Sequence, residues 1–276
     1  MPSYSIIHRL LGRSEKAAPA VPLLYDKAAA SFEPSEQQSV WDHPAWLDAS
    51  NSYVGRLRGE ATEDRLAPEA YLAPIALLAS QVAKRQGMVK ILDLGGGVGP
   101  CVDVIMRGLL EAKYVVVDGA ASCEQGSLMF ANDHRVSFAE TLPNDGEMFD
   151  IAMFSSALQY IDSWRLALAA LANRVAENGT LVINRIPVSS NETVALRQHI
   201  SLGQPPACIG SVWHWVFSRD ELIREAQQLG YLLIYDQFIR DVGPEMTQAA
   251  ALGRVDLRLL MFSKDSCPPT PVHHNN

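Results

Sequence analysis

The chain has 276 residues, and 48% of them are hydrophobic, enough for one large α/β domain with an N-terminal extension. Its formal net charge of −8 argues against a nucleic-acid-binding surface, for which basic clusters are typical. No run approaches the roughly 18 consecutive apolar residues of a membrane span, and no signal-peptide pattern opens the chain.

Metal and disulfide sites are not indicated either. The four cysteines include no C-x-x-C pair, and no group of His, Asp and Glu residues has the spacing of metal ligands. We therefore expect a cytoplasmic protein that has no metal, no membrane span and no nucleic acid as a partner.

The N-terminal part is expected to be an extension of the main domain. Residues 1–66 are predicted to form an arm and a helical cap, in which Trp41, Trp46 and Tyr53 pack onto the domain. The first twenty residues are interpreted as a frayed arm or a contact within a homodimer. The main domain is predicted over 67–265, followed by a disordered tail at 266–276.

The central stretch of the chain is Ile91–Pro100. A buried-strand run from Met88 to Leu94 ends in an acid and a glycine cluster. Before it, residues 68–85 have helical spacing, and Gly87 is expected to end that helix. After it, apolar residues at helical spacing predict a helix, with a face formed by Val102, Ile105, Met106 and Leu109.

Strand and helix patterns then alternate. Further strands are predicted at 114–118, 136–140, 149–154, 180–184, 231–238 and 256–262. Helices are predicted at 121–131, from Asp162 or Ser163 to Ala176, and from Ser218 to Gly230. Asn178-Gly179 is expected to end the second of these helices. Residues 186–217 are expected to form a long irregular segment of the kind that serves as a substrate loop. This order predicts a seven-stranded, mainly parallel α/β sheet with its ligand at the carboxyl ends of the strands.

The glycine cluster discriminates between three kinds of nucleotide site. A phosphate-binding P-loop needs a lysine after the glycines, and none is present. The dinucleotide fingerprint needs a third glycine, but the two possible registers place Pro100 and Val102 there. The remaining pattern is an acid followed by alternate glycines, formed by Asp93, Gly95, Gly97 and Gly99.

This pattern resembles motif I of the class I S-adenosylmethionine-dependent methyltransferases. The resemblance covers roughly residues 88–265 and implies a Rossmann-like fold with an antiparallel last strand and S-adenosyl-L-methionine as cofactor. Asp118 follows Gly99 by 19 residues, close to the offset at which an acid meets the ribose hydroxyls. In the family, an acid or polar residue after the third strand lies beside the adenine, and the segment after the fourth strand flanks the methionine part.

Each of these positions also has an ordinary structural interpretation. Asp118 is alternatively a solvated strand end, Glu140 a loop acid and Phe154 a core residue. The predicted cofactor contacts are Asp93, Gly95, Gly96, Gly97, Gly99, Asp118, Glu140, Thr141, Phe154 and Ser155.

Three stretches resemble a narrower group within that family. They are ILDLGGGVGP, FSSALQYIDSW and HWVFSRDELI. The group consists of bacterial methyltransferases associated with surface-polysaccharide or other glycan biosynthesis. The resemblance implies a glycan or another small molecule as acceptor.

The acceptor site is less clearly indicated than the cofactor site. Enzymes that methylate amines of nucleic-acid bases resemble one another in an Asn/Asp-Pro-Pro-aromatic segment, which Phe154-Ser-Ser-Ala157 does not match. His199 and His214 are the predicted catalytic bases, because imidazole accepts a proton near neutral pH. The run Trp213-His-Trp215 is either an aromatic wall for a sugar or packing for the segment, and Arg185 is a candidate to orient an acidic group.

Together with the resemblance to that narrower group, which supplies the acceptor, these observations predict O-methylation of a sugar or a similar small polar hydroxyl compound. Two alternatives stay open. One is a regulatory protein that binds the cofactor without catalysis, and the other is a nicotinamide-dependent oxidoreductase.

Overall fold

The structure is a computed structural model that describes residues 24–33, 40–59, 70–144, 146–203, 206–242 and 254–264. The strands of the described residues are β1 Tyr25–Ala29, β2 Val89–Leu94, β3 Ala112–Val117, β4 Val136–Ala139, β5 Phe149–Ser155, β6 Val175–Ser189, β7 Val194–Leu202, β8 Ala207–Ser218, β9 Tyr231–Asp241 and β10 Val255–Lys264. Their α-helices are α1 Pro44–Gly59, α2 Ala73–Gln86, α3 Val102–Ile105, α4 Ala120–Met129, α5 Trp164–Ala172 and α6 Arg219–Gln228. Short 3₁₀ helices lie at Val40–Asp42, Ala70–Leu72 and Leu158–Tyr160.

The main sheet has the strand order β4-β3-β2-β5-β6-β10-β9. The strands from β4 to β6 pair in parallel, whereas β10 is antiparallel to both β6 and β9. The predicted Rossmann-like sheet with an antiparallel last strand is therefore confirmed. The glycine loop follows β2, which pairs with β3 on one side and β5 on the other, so it lies where the strand order reverses and a ligand crevice opens.

The parallel strands form because both of their faces are covered. β3 and β5 are almost wholly buried, which fits their continuous β-branched and aromatic runs. One face of the sheet packs beneath α5 and α6 around Trp164, and the other face of the sheet packs beneath α2 and α3 around Ile75. Helix α2 has a proline in its first turn and ends at Gly87 in the left-handed conformation, as the sequence predicts.

The prediction for residues 186–217 is wrong. This segment completes β6 and forms β7 and β8, which pair as an antiparallel hairpin. The hairpin adds β1 along its far edge and joins β6 at Val188 and Ser189. Residues 212–217 are buried on both faces of the hairpin, so they lack the alternation that marks a half-exposed strand in a sequence.

Two other local predictions also differ from the structure. The helix after the glycine loop has only four residues, although its predicted apolar face is buried, because Gly108 turns the chain with φ of 76° toward β3. Helix α5 ends at Ala172, and Asn178-Gly179 lies within β6 at a register irregularity opposite Asp150.

Some predictions fall mainly outside the described residues. The arm of the first twenty residues and the tail at 266–276 belong to this group, and the proposed domain boundaries remain predictions. Within the described ranges, no helix has both the length and the apolar character needed to cross a membrane.

Candidate functional site

The glycine loop presents bare backbone at the carboxyl end of β2. Gly97 has φ of 57°, and a Cβ atom there would meet no other atom within 4 Å. Gly95 has φ of 75°, and a Cβ there would lie 2.4 Å from Cβ of Ala157. Gly95 therefore permits close packing against the segment after β5, while Gly97 leaves open space over the loop.

Asp118 lies at the end of β3 and closes one side of this space. Its Oδ2 accepts a hydrogen bond from the Gly97 backbone N–H at 2.7 Å, and its Oδ1 accepts one from the Gly119 N–H at 2.7 Å. Each carboxylate oxygen has a second lone pair, so the group retains capacity to accept hydrogen bonds from a pair of hydroxyls. The 19-residue spacing thus brings the acid to the loop, as the sequence suggests.

Asp93 lies beneath the loop and is fully buried. Its Oδ2 accepts a hydrogen bond from the Tyr114 hydroxyl at 2.9 Å, and a Cβ at Gly96 would lie 2.7 Å from the same oxygen. Burial raises the pKa of Asp93 to about 7, the Tyr114 hydrogen bond opposes that rise, and the charge of Asp118 adds to it. Oδ1 of Asp93 is buried without a hydrogen-bond partner.

The segment after β5 carries a strained backbone. Among the described residues, positive φ outside glycine occurs at Ser156, with 58°, and at Arg185, with 53°. The two residues are neighbours, because Ser155 lies opposite Asn184 and the Ser156 N–H donates to the Asn184 carbonyl. Strain of this kind costs about 1–3 kcal/mol per residue and concentrates at functional sites.

Ser155 is held in place by hydrogen bonds from both sides. Its Oγ accepts from the Asn184 amide at 3.1 Å and contacts the Cys101 thiol at 3.3 Å. The strand end, the β6 edge and the short helix α3 are thus tied together at the carboxyl edge of the sheet.

An aromatic wall lies beyond this edge. It consists of Trp41, Trp46, Tyr160 and His214. The Trp41 ring meets the rings of Trp46 and Tyr160 edge to face, each with centroids 4.8 Å apart. The Tyr160 ring also lies 6.0 Å from that of His214.

The two predicted catalytic histidines lie in one hairpin but on opposite faces. His214 is opposite Leu196, and His199 is opposite Ser211, three positions further along β7. Because side chains alternate along a strand, an offset of three positions places them on different sides. His214 faces Tyr160, whereas Nδ1 of His199 is 2.7 Å from Oγ of Ser211.

His214 is 2% exposed, and burial lowers its pKa to about 4, so the ring is neutral at pH 7. Its Nδ1 lies 3.2 Å from the Trp215 carbonyl, which only accepts hydrogen bonds. Nδ1 therefore carries the proton, and Nε2 holds a lone pair with no hydrogen-bond partner.

The two tryptophans beside His214 do not extend the aromatic wall. Trp213 and Trp215 point to the other face of the hairpin, where both stack against Phe32. The packing alternative for the Trp-His-Trp run is therefore the correct one, because strand alternation separates the histidine from its neighbours.

The remaining predicted cofactor contacts differ in accessibility. Glu140 and Thr141 are exposed at the end of β4, next to Ala139, whose carbonyl accepts from the Asp118 N–H. Phe154 is fully buried in the core beneath α5, so its side chain supports the strand end from below.

Comparison with known proteins shows which family has this arrangement. The family described as a methyltransferase domain matches residues 61–235, more than half of the chain. The chain belongs to this methyltransferase family. This membership supports S-adenosylmethionine as the cofactor and argues against the nicotinamide alternative.

Several methyltransferases are similar to this chain. The ubiquinone biosynthesis O-methyltransferase of Bartonella quintana (strain Toulouse) is 29% identical over 104 residues, which are 36% of this chain and 41% of that enzyme. The chain therefore aligns with less than half of that relative's length.

Solved structures of methyltransferases are also similar to this chain. An S-adenosylmethionine-dependent methyltransferase from Clostridium acetobutylicum ATCC 824 is 10% identical, with a TM-score of 0.50 over 79% of this chain and 99% of that one. The Burkholderia thailandensis 1,6-didemethyltoxoflavin-N1-methyltransferase is 16% identical, with a TM-score of 0.49 over 86% and 95%. At such identities the likeness to the Clostridium protein concerns the fold alone.

The residues of this methyltransferase fit its cofactor. Open space over Gly97 leaves room for a ligand against bare backbone, and the Asp118 carboxylate suits a ribose diol. The buried Asp93 carboxylate places negative charge below the loop when it is ionised, which favours a cation above it.

Sequence patterns did not reveal the contribution of residues from distant segments. Trp41 was expected to pack on the domain, but nothing in the sequence linked it to Tyr160. No pattern indicated that the Tyr71 hydroxyl accepts a hydrogen bond from Arg185. The positive φ of Arg185 likewise has no sequence signal, because arginine has no preference for that conformation.

Proposed function

We propose that this methyltransferase transfers its methyl group to a hydroxyl of a sugar or a similar small polar acceptor. The observation that carries the proposal is the aromatic wall beside the strained edge at Ser156. Aromatic rings suit the apolar face of a sugar ring, while its hydroxyls are left to polar groups nearby. The O-methyltransferase among the relatives supports oxygen as the atom methylated.

The cofactor, when bound, supplies an electrophilic methyl group on a sulfonium sulfur. The attacking oxygen gains a bond to carbon as the sulfur–carbon bond breaks, and its proton must leave. We assign that proton to Nε2 of His214, a buried nitrogen without a hydrogen-bond partner in a neutral ring whose centroid lies 6.0 Å from that of Tyr160. His199 faces away from this wall, so its predicted role as base receives less support from the geometry.

On the cofactor side, we assign the ribose hydroxyls to Asp118. The cofactor also lies against the loop backbone formed by Gly95, Gly96, Gly97 and Gly99. Glu140 and Thr141 are assigned to the rim beside the adenine, and Ser155 to the methionine part. In this proposal Asp93 and Phe154 support these groups from below, because both side chains are fully buried.

Labelled methyl transfer tests the proposal. Purified protein is incubated with methyl-labelled S-adenosylmethionine and a panel of mono- and oligosaccharides, and NMR locates the label. A methyl ether on a carbohydrate oxygen is the expected product. Label on nitrogen, or transfer to simple phenols but to none of the sugars, would contradict the sugar assignment.

A regulatory protein without catalysis is the second possibility that the sequence left open. Binding of S-adenosylhomocysteine is expected in either case, so the rate of transfer with a sugar acceptor separates the two. A protein that binds the cofactor and never turns over with any acceptor of the panel would favour the regulatory alternative.

A further inference from the structure

Arg185 is the extra residue of a β-bulge in β6. Asn184 lies opposite Leu259 of β10, and Ile186 lies opposite Arg258, so the register shifts at Arg185. The same residue has φ of 53°. Bulges next to active sites serve to redirect a side chain, and here the redirection is maintained against a strained backbone.

The bulge lies at a gap in the sheet. On the β5 side, pairing ends at Ser155 opposite Asn184. On the same side, pairing with β8 begins at Val188 opposite Phe217. Along β6, Arg185 is therefore located between the last residue paired with β5 and the first residue paired with β8, at the edge that carries the strained Ser156.

The Arg185 guanidinium lies against an aromatic ring from a distant segment. It donates a hydrogen bond from Nη1 to the Tyr71 hydroxyl at 3.2 Å and lies 5.2 Å from the centroid of the Tyr71 ring. Its charge also reaches Tyr160, since it partly offsets the rise that burial causes in the pKa of that phenol. The cation thus lies against the Tyr71 ring, and its charge acts on the phenol of the aromatic wall.

We propose that Arg185 binds an anionic group of the acceptor, so that the natural substrate is a sugar carrying a carboxylate or a phosphate. This inference rests on the proposed sugar O-methylation and specifies its substrate class. A guanidinium is a planar donor set that matches both anions, and its stacking on an aromatic ring limits its orientations. In this proposal Arg185 orients the acceptor so that the acceptor's reacting hydroxyl faces the methyl donor.

The test compares matched sugars that differ in charge. Glucuronate, glucose 6-phosphate and glucose are titrated into the protein saturated with S-adenosylhomocysteine, and isothermal titration gives each Kd. We expect at least one of the two anionic sugars to bind at least tenfold more tightly than glucose, and Arg185→Gln to abolish that preference. The two anionic sugars distinguish a carboxylate from a phosphate.

Two further variants separate binding of an acceptor from a structural role. Tyr71→Phe removes the hydrogen bond to Arg185 and keeps the ring, so the preference for the anion should shrink but persist. Arg165→Gln is the matched control, because Arg165 also stacks on an aromatic ring but pairs with Glu221 and Glu225 on the helical surface. It should leave the charge preference as in the unmodified protein.

The outcomes are decisive in both directions. Equal affinity for charged and neutral sugars, no binding of any of the three, or an unchanged preference in Arg185→Gln would overturn the proposal. If labelled methyl still appears on a neutral sugar oxygen, the proposed function stands and only the charge assignment fails. If methyl appears on no carbohydrate oxygen although anions bind through Arg185, the proposed function fails instead.

Discussion

The cofactor side and the acceptor side of this methyltransferase are built in different ways. The cofactor side uses the ends of two adjacent parallel strands, β2 and β3, and its key contact joins Gly97 to Asp118 across 21 residues of chain. The proposed acceptor side collects five residues from segments far apart in the sequence: Trp41, Tyr71, Tyr160, Arg185 and His214.

This difference follows from what each ligand requires of the protein. A nucleotide needs bare backbone and one acid, which a single strand–loop–helix–strand unit supplies. An acceptor needs a shape that only several elements together can provide. Substitutions on one side should therefore affect either cofactor binding or the reaction of the acceptor, and only substitutions where the two sides are in contact should affect both.

The largest effect is expected where the two sides are in contact. Gly95→Ala places a Cβ 2.4 Å from Ala157 and also strains a residue at φ of 75°. Overpacking and strain together cost up to about 5 kcal/mol of folding free energy. We expect chemical denaturation to show this loss, and transfer and cofactor binding to fall together.

Gly87→Ala provides the control for Gly95→Ala. It has a similar φ of 83°, but a Cβ there meets nothing within 4 Å. Gly87→Ala should lower the free energy of unfolding only by the backbone strain of alanine at this φ, about 1 kcal/mol. Equal losses for the two glycines would show that the contact between loop and Ala157 is unimportant.

The second effect concerns Asp93 and is confined to the cofactor side. Its pKa in the folded protein, about 7, exceeds the ordinary value of 3.8, so the folded state binds the proton more tightly than the unfolded chain. The stability contributed by this group is present at low pH and is lost as the pH rises from about 4 to about 7. The loss amounts to about 4 kcal/mol at most, at about 1.36 kcal/mol per pKa unit.

Asp93→Asn removes this titration. Urea unfolding at several pH values should show the variant gaining stability relative to the parent as the pH rises from 4 to 7, with no further relative gain above pH 7. Parallel pH profiles for the two proteins would contradict the raised pKa. Tyr114→Phe removes the opposing hydrogen bond and should move the loss to higher pH.

The third effect tests the acceptor side alone. His214→Gln removes the proposed base and should lower kcat by about a hundredfold, a typical loss for general base catalysis. Affinity for S-adenosylhomocysteine, measured by calorimetry, should stay the same. Replacement of the exposed His134 by Gln is the control and should leave kcat unaffected.

An unchanged kcat in His214→Gln would remove the proposed base. A loss of kcat in His199→Gln with none in His214→Gln would return the role to the other face of the hairpin. A similar melting temperature for both variants is required, since His214 is buried in the hairpin.

The smallest effect returns to the cofactor side. Asp118→Ala should weaken S-adenosylhomocysteine binding by at least about tenfold, or about 1.4 kcal/mol, because it removes the carboxylate that accepts hydrogen bonds from the ribose hydroxyls. Glu124→Gln, at an exposed position of α4, is the matched control and should bind normally. Unchanged affinity in Asp118→Ala would show that the ribose partner is misassigned.

Much of the fold followed from local patterns. The strands from β2 to β6, the helix before the glycine loop and the closing antiparallel pair all have signals within a few residues. The predictions failed at residues 186–217, at the length of α3 and at Asn178-Gly179. Burial on both faces explains the first failure, the turn at Gly108 the second and a register shift the third.

The sequence by itself determined the cofactor. The acid, the alternate glycines and Asp118 lie close together along the chain, and strand–loop–helix geometry brings such residues together in any parallel sheet. Only the tertiary structure brings together the residues of the proposed acceptor side. Which face His214 occupies depends on strand register, and the contact of Arg185 with Tyr71 depends on a bulge and a positive φ that the sequence does not encode locally.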